Sequence, residues 1–286
     1  MSTKRVATAA VLVPVVAACV WFGPPWLVAV LLGGVMLMAL YEFFKLGEAA
    51  GMHGFPRWTG VCAAWMVFEQ WSATTISSQG LPGGISVVRE GAAFSIPLEL
   101  VIATFAVGAG CLVLASRRPL NETMPALGVS AAALMLVALP LSFLVRVHGA
   151  PQGPKLLLFT LVLIWVGDTV AYYVGRAFGR LPLAPMISPK KTWEGAAGNL
   201  LGSLLVAWPF AEWVGVEWYD LAAVAAMANV AGQIGDLVES AYKRGAGVKD
   251  SGALLPGHGG VLDRIDSLIF AAPVVWCYVW LMFERR

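Results

Sequence analysis

The sequence predicts an all-α, polytopic integral membrane protein with about nine transmembrane helices and a cytosolic N-terminus. Three observations carry that expectation. Hydrophobic residues make up 59% of the 286 and charged residues only 13%, about half the charge usual in soluble domains. The apolar residues fall in blocks of roughly 17–25 residues, the length that crosses a bilayer as a helix. Lysine and arginine gather on alternate loops, as they do when one side of a membrane protein faces the cytosol.

In chain order the blocks are 6–22, 26–46, 58–75, 92–115, 124–147, 156–178, 196–214, 219–238 and 265–283. Backbone groups in lipid need internal partners, so each is expected to be a helix. A β-barrel would alternate over about ten residues, and no such alternation is visible. The first block is short. Lys4 and Arg5, then Val16-Ala17-Ala18-Cys19, look like a lipoprotein leader. Apolar Val20, Trp21 and Phe22 follow where such a leader turns polar, so a first span is the better reading. The third block carries Glu69 and Gln70. Residues 77–91 are rich in Gly and Ser, with Arg89 and Glu90, and read as an outer loop. Cys19, Cys62, Cys111 and Cys277 lie scattered in apolar blocks, with neither metal nor disulfide spacing, and read as inert thiols. No internal repeat is visible.

With nine alternating spans, the N-terminal side receives 14 of the 19 lysines and arginines and the other side 5. The richer side is expected to be cytosolic. Both large polar loops, after the sixth and eighth blocks, then face the cytosol. Residues 1–150 are expected to form an N-terminal set of about five spans, and 151–286 a C-terminal catalytic region with two cytosolic polar loops.

Chemistry concentrates in residues 236–266. In the eighth block Asn229, Gln233, Asp236, Ser240 and Lys243 follow one another at helical spacing, a polar stripe on one face. Glu239 flanks it. Polar groups deep in a span normally face a cavity or a partner. Six glycines lie between positions 245 and 260, with Lys249 and His258 among them and Lys243, Arg244 and Arg264 flanking them. Glycine allows close backbone approach, and such loops can aim N–H groups at phosphate oxygens. Asp263 and Asp266 open the ninth block. Their plainer reading is N-capping. Their functional reading pairs Asp263 with Asp236 around a hard divalent cation such as Mg²⁺. Asp168 lies deep in the sixth block. After it come Arg176, Arg180 and the run Ser188-Pro189-Lys190-Lys191-Thr192-Trp193-Glu194-Gly195. Lys190 and Lys191 can be simple cytosolic-side anchors, but this ordered run is more specific than an anchor needs.

At these residues the chain resembles the phosphatidate cytidylyltransferase family, also called CDP-diacylglycerol synthases. The family pattern reads here as Ser240, Lys243-Arg244, Lys249-Asp250, Pro256-Gly257-His258-Gly259-Gly260 and Asp263-Arg264-Ile265-Asp266. Tyr242 departs from it, standing where an aliphatic residue or Phe is usual. Residues 168–179 and 188–195 resemble the family's other shared stretches, so the likeness covers roughly the C-terminal half.

The resemblance implies transfer of a cytidylyl group from CTP to phosphatidate, giving CDP-diacylglycerol and pyrophosphate for phospholipid synthesis. It implies Mg²⁺, with a second cation left open. It also implies a multi-pass protein of the cytoplasmic inner membrane whose site faces the cytosol, with a homodimer plausible and no nucleic-acid partner. The attacking phosphate oxygen is already ionised near neutral pH, so charge neutralisation and in-line alignment matter more than a general base.

The expected roles follow. Asp236 and Asp263 hold metal. Lys243, Lys249, Asp250, His258 and Arg264 are the catalytic candidates. Ser188, Lys190, Lys191, Thr192, Ser240, Arg244, Gly259 and Gly260 bind substrate. Asp168, Asp266 and Glu239 support them. The stretch 188–195 and Asp168 must be brought beside 236–266 to complete such a site. A transporter, a different membrane phosphotransferase and a structural subunit are the competing classes. The one-sided charge and the absence of paired halves argue against transport. The CDP-alcohol enzymes' pattern Asp-x-x-Asp-Gly-x-x-Ala-Arg is absent.

Overall fold

The computed structural model describes residues 3–78, 97–252, 254 and 259–284. The expected loop at 77–91 therefore lies outside the described residues, apart from Ser77 and Ser78, which end a helix. Pro256, Gly257 and His258 also lie outside them.

Helices dominate. They are α1 (Thr3–Phe22), α2 (Pro25–Ala49), α3 (Pro56–Ser78), α4 (Leu98–Ala115), α5 (Thr123–Ala133), α6 (Leu139–Gly149), α7 (Gly153–Phe178), α8 (Trp193–Val214), α9 (Trp218–Gly245) and α10 (Leu262–Val279). A π-helical turn, Leu134–Ala138, joins α5 to α6, so residues 120–149 act as one rod. Each apolar block of the sequence maps onto one rod. Among the described residues, six helical stretches are long and apolar enough to cross a membrane: Pro25–Ala49, Leu98–Ala115, Leu120–Gly149, Gly153–Phe178, Trp218–Gly245 and Leu262–Met282.

Between α7 and α8 the structure adds what the sequence reading took for plain loop. Strands β1 (Pro182–Ala184) and β2 (Ser188–Thr192) pair antiparallel, Pro182 opposite Thr192 and Ala184 opposite Ser188. The N–H of Ile187 closes the turn onto the Ala184 carbonyl at 3.1 Å. The hairpin ends where the Thr192 hydroxyl accepts from the Gly195 N–H at 3.2 Å and caps α8, as a threonine before a helix is suited to do.

The rods pack through small residues where they approach most closely. Gly195, Gly198 and Gly202 of α8 are spaced to share one helix face. A Cβ on Gly198 would meet Val174, and one on Gly202 would meet Val170 and the backbone at Gly167. Glycine at such positions lets two backbones close up in lipid. The apolar core runs through all these rods, with Met36, Met66, Leu134, Leu144, Phe159, Leu163 and Leu221 among its fully buried side chains.

Contacts at the rod ends define two ends of the bundle. At one, the Arg244 guanidinium donates to the Ile187 carbonyl at 3.4 Å, tying the end of α9 to the hairpin. At the other, Trp21 stacks on Trp213 at 5.0 Å, and the Lys155 ammonium donates to the Trp213 carbonyl at 2.6 Å.

Candidate active site

The site is built on the hairpin end of α7, α8, α9 and α10. Its base is a ladder of side-chain amides within the bundle. Asn229 of α9 donates to the Ser203 hydroxyl at 2.6 Å and to the Asn199 carbonyl oxygen at 2.5 Å. Gln233, one turn on, donates to Asn229 at 2.6 Å and to the Ala196 carbonyl at 3.3 Å. Asn199 passes the ladder to α7, donating to the Asp168 carboxylate at 3.1 Å. Deep polar groups with good partners hold helices in one register. Asn229 and Gln233 were legible as part of the polar stripe. Asn199 and Ser203 were not singled out, although amide and hydroxyl side chains within an apolar block were a usable signal.

Above the ladder stand three carboxylates, Asp168, Asp236 and Asp266, near enough to repel one another electrostatically. Asp168 is exposed, and Asp236 and Asp266 are half-buried. The Lys191 ammonium of β2 pairs with Asp236. The structure thus brings 188–195 and Asp168 beside Asp236. Asp266 accepts from the adjacent Ser267 N–H at 2.6 Å.

Asp263 has different partners. One carboxylate oxygen accepts from the Lys243 ammonium at 2.6 Å. The other accepts from the backbone N–H groups of Ser251, at 3.0 Å, and Gly260, at 2.8 Å. The carboxylate sits in the first turn of α10 but accepts from N–H groups that precede the helix, so it gathers both sides of the glycine-rich loop rather than capping α10. Lys243 also pairs with Glu239, which is only 4% exposed, so one ammonium lies between two carboxylates. It has three N–H donors, and two are engaged in this way.

Among the described residues no three His, Cys, Asp or Glu side chains already converge as a metal cage. Mg²⁺ does not require one, because it usually takes one or two protein carboxylates and completes its shell with water and substrate phosphates. Asp236, paired with Lys191 and within electrostatic reach of Asp266 and Asp168, could supply one of the one or two carboxylates such an ion needs.

The remaining candidates line the same end. Lys190, Lys249, Asp250 and Arg264 are exposed and Ser188 and Ser240 half-buried. Arg244 is committed to the carbonyls of Ile187 and Val248, and Thr192 to its cap. Gly259 takes a positive φ of 82°, and a Cβ there would press on the Asp263 carboxylate. Beside Glu239 and Asp266 opens an apolar cleft lined by Phe43, Val137, Leu262 and Ile269, the π-helical turn forming one wall.

One residue was missed altogether. Glu42, near the end of the second apolar block, is 1% exposed and reaches the start of α10. A lone carboxylate inside a span is the same signal that singled out Asp168.

Comparison with known proteins agrees with the sequence resemblance. The model of the cytidylyltransferase family matches residues 3–282. Proteins named phosphatidate cytidylyltransferase are similar to this chain: one from Haemophilus influenzae is 47% identical over 132 residues, 44% of this chain and 46% of that protein. Those from Staphylococcus epidermidis and Staphylococcus aureus are 45% identical over 126 residues and 44% identical over 128, each match taking in 43% of this chain and 48% of the relative. The chain thus spans about half the length of the curated relatives it matches. With the family model matching almost end to end, the chain belongs to the cytidylyltransferase family.

Proposed function

We propose that this protein transfers a cytidylyl group from CTP to phosphatidate at the cytosolic face of the membrane, releasing pyrophosphate and leaving CDP-diacylglycerol in the bilayer. The observation that carries the reading is the carboxylate group Asp168, Asp236 and Asp266, joined by Lys191 and bordered by the Lys243–Asp263 pair, at one end of a bundle of apolar helices.

A phosphatidate oxygen attacks the α-phosphorus of CTP, the new P–O bond forms, and the bond to the β-phosphate oxygen breaks with its electron pair leaving on pyrophosphate. Lys190, Lys249 and Arg264 border the site and offset phosphate charge, and the glycines Gly259 and Gly260 lie beside it; by the family resemblance His258 would contact phosphate. Lys243 keeps one N–H for a phosphate oxygen. Asp236 would hold Mg²⁺, with Asp266 and Asp168 beside it. Asp263 would join by sharing an oxygen it now gives to Lys243 or to the loop. Bound Mg²⁺ would neutralise phosphate charge and polarise the reacting phosphoryl group. Ser240 and Ser188, half-buried at this end, would hold substrate phosphate, while Thr192 caps α8.

The test is incubation of purified protein with phosphatidate and α-labelled CTP across a Mg²⁺ titration. Label in CDP-diacylglycerol with equimolar pyrophosphate is expected. Release of CDP with a newly phosphorylated lipid would mean a kinase instead. Asp236→Asn should lower turnover by about 10²–10³-fold, the scale of losing one essential electrostatic contact. Near-native turnover would remove Asp236 from the metal site.

A further inference from the structure

We propose that Glu42 is a positioning residue, a carboxylate lent by an N-terminal helix that clamps the glycine-rich loop to the start of α10. Its two oxygens accept three hydrogen bonds: from the Val261 N–H at 3.0 Å, the Leu262 N–H at 2.8 Å and the Ser251 hydroxyl at 3.0 Å. Ser251 is itself 5% exposed. The first N–H groups of a helix have no partner within it, and α10 begins at Leu262. Glu42 answers two of these groups from more than 200 residues away, and its negative charge lies at the positive end of the helix dipole.

The fit leaves no slack. Cβ atoms on Gly252 and Gly260 would both run into the Glu42 carboxylate. These two glycines therefore let the loop close around Glu42, a demand separate from phosphate binding. Asp263 acts from the other side, taking the N–H groups of Ser251 and Gly260. Ser251 is thus held through its hydroxyl by Glu42 and through its N–H by Asp263. The carboxylate that receives Lys243 is fixed by a loop that is fixed in turn by α2. Among the described groups Glu42 makes no ion pair, and three donors and a helix terminus face its buried carboxylate. Such a group is costly to bury unless fully hydrogen-bonded, which makes it a sensitive place to perturb.

The effect on turnover rests on the reading given under Proposed function, but the clamp itself does not. Glu42→Gln keeps the shape and turns one acceptor oxygen into an N–H donor facing other donors. Hydrogen–deuterium exchange of the full chain in detergent should show faster exchange in peptides spanning 259–264, with peptides of α7 and α8 unchanged. The kcat for CDP-diacylglycerol synthesis should fall about 10- to 100-fold, the size expected for one or two lost charge-assisted hydrogen bonds. The KM for CTP should move less than threefold, and Glu42→Asp should recover part of the rate. Unchanged exchange in 259–264 overturns the clamp, and raised exchange with native kcat overturns its part in catalysis. If the native protein makes no CDP-diacylglycerol, the functional reading fails while the exchange comparison still decides the clamp. Should Glu42→Gln fail to fold, Ser251→Ala removes one of the three bonds and is expected to raise exchange in the same peptides. No rise there overturns the proposal.

Discussion

Lys243 is where charge is most finely balanced. One ammonium serves Glu239 and Asp263, and all three side chains are largely shielded from water. Removing one member of a buried ion group leaves an uncompensated charge and costs about 3–5 kcal/mol, whereas neutralising the group together costs far less. Lys243→Met should therefore lower the thermal unfolding midpoint in detergent clearly. Adding Glu239→Gln should return much of that loss, because it removes the carboxylate left without a cation. Turnover should stay low in both, since the ammonium beside Asp263 is gone. A double variant no more stable than Lys243→Met would mean that Glu239 and Lys243 are not energetically coupled.

Among the elements, α7, α8 and α9 act as one unit, and their glycines and amides depend on each other. The backbone at Gly198 lies close to Val174, and one residue on, Asn199 reaches both Asp168 and Asn229. A large side chain at Gly198 should push α8 from α7 and pull Asn199 off Asp168. Gly198→Leu is expected to destabilise by about 1–3 kcal/mol, the usual cost of overpacking, and to lower turnover more than Leu200→Ala on the same helix. Equal activity in the two variants would separate the ladder from the site. The rods themselves were legible because most apolar blocks are long and bounded by charge or by Gly and Pro. The hairpin was not, because β1 and β2 span three and five residues, too short for periodicity, and their pairing is fixed by tertiary contacts. The stripe Asn229–Gln233–Asp236 was legible from spacing alone. Its partners Asn199 and Ser203 lie on another helix, which no spacing within one helix can reveal.

For the whole molecule, the contacts of rod ends sort its polar and aromatic groups into two ends. The site groups, the hairpin and the exit of α9 meet at one end, while Trp21, Lys155 and Trp213 meet at the other. Trp218 and the exposed Tyr219 stand beside Trp208 near that second end, as aromatic side chains do at a membrane surface. Glu42 joins residues on either side of position 150, so hydrogen bonds tie the N-terminal spans to the start of α10. That link was invisible in the sequence because the carboxylate and its three donors are separated by most of the chain. The cytosolic placement of the hairpin end then becomes a measurable claim. With the four native cysteines replaced, Met186→Cys sits on the exposed hairpin turn and Glu217→Cys in the exposed connection between α8 and α9. A membrane-impermeant maleimide should label Met186→Cys in inside-out vesicles and Glu217→Cys in right-side-out vesicles. The reverse pattern would put the carboxylates on the face away from CTP, and the proposed reaction could not proceed there.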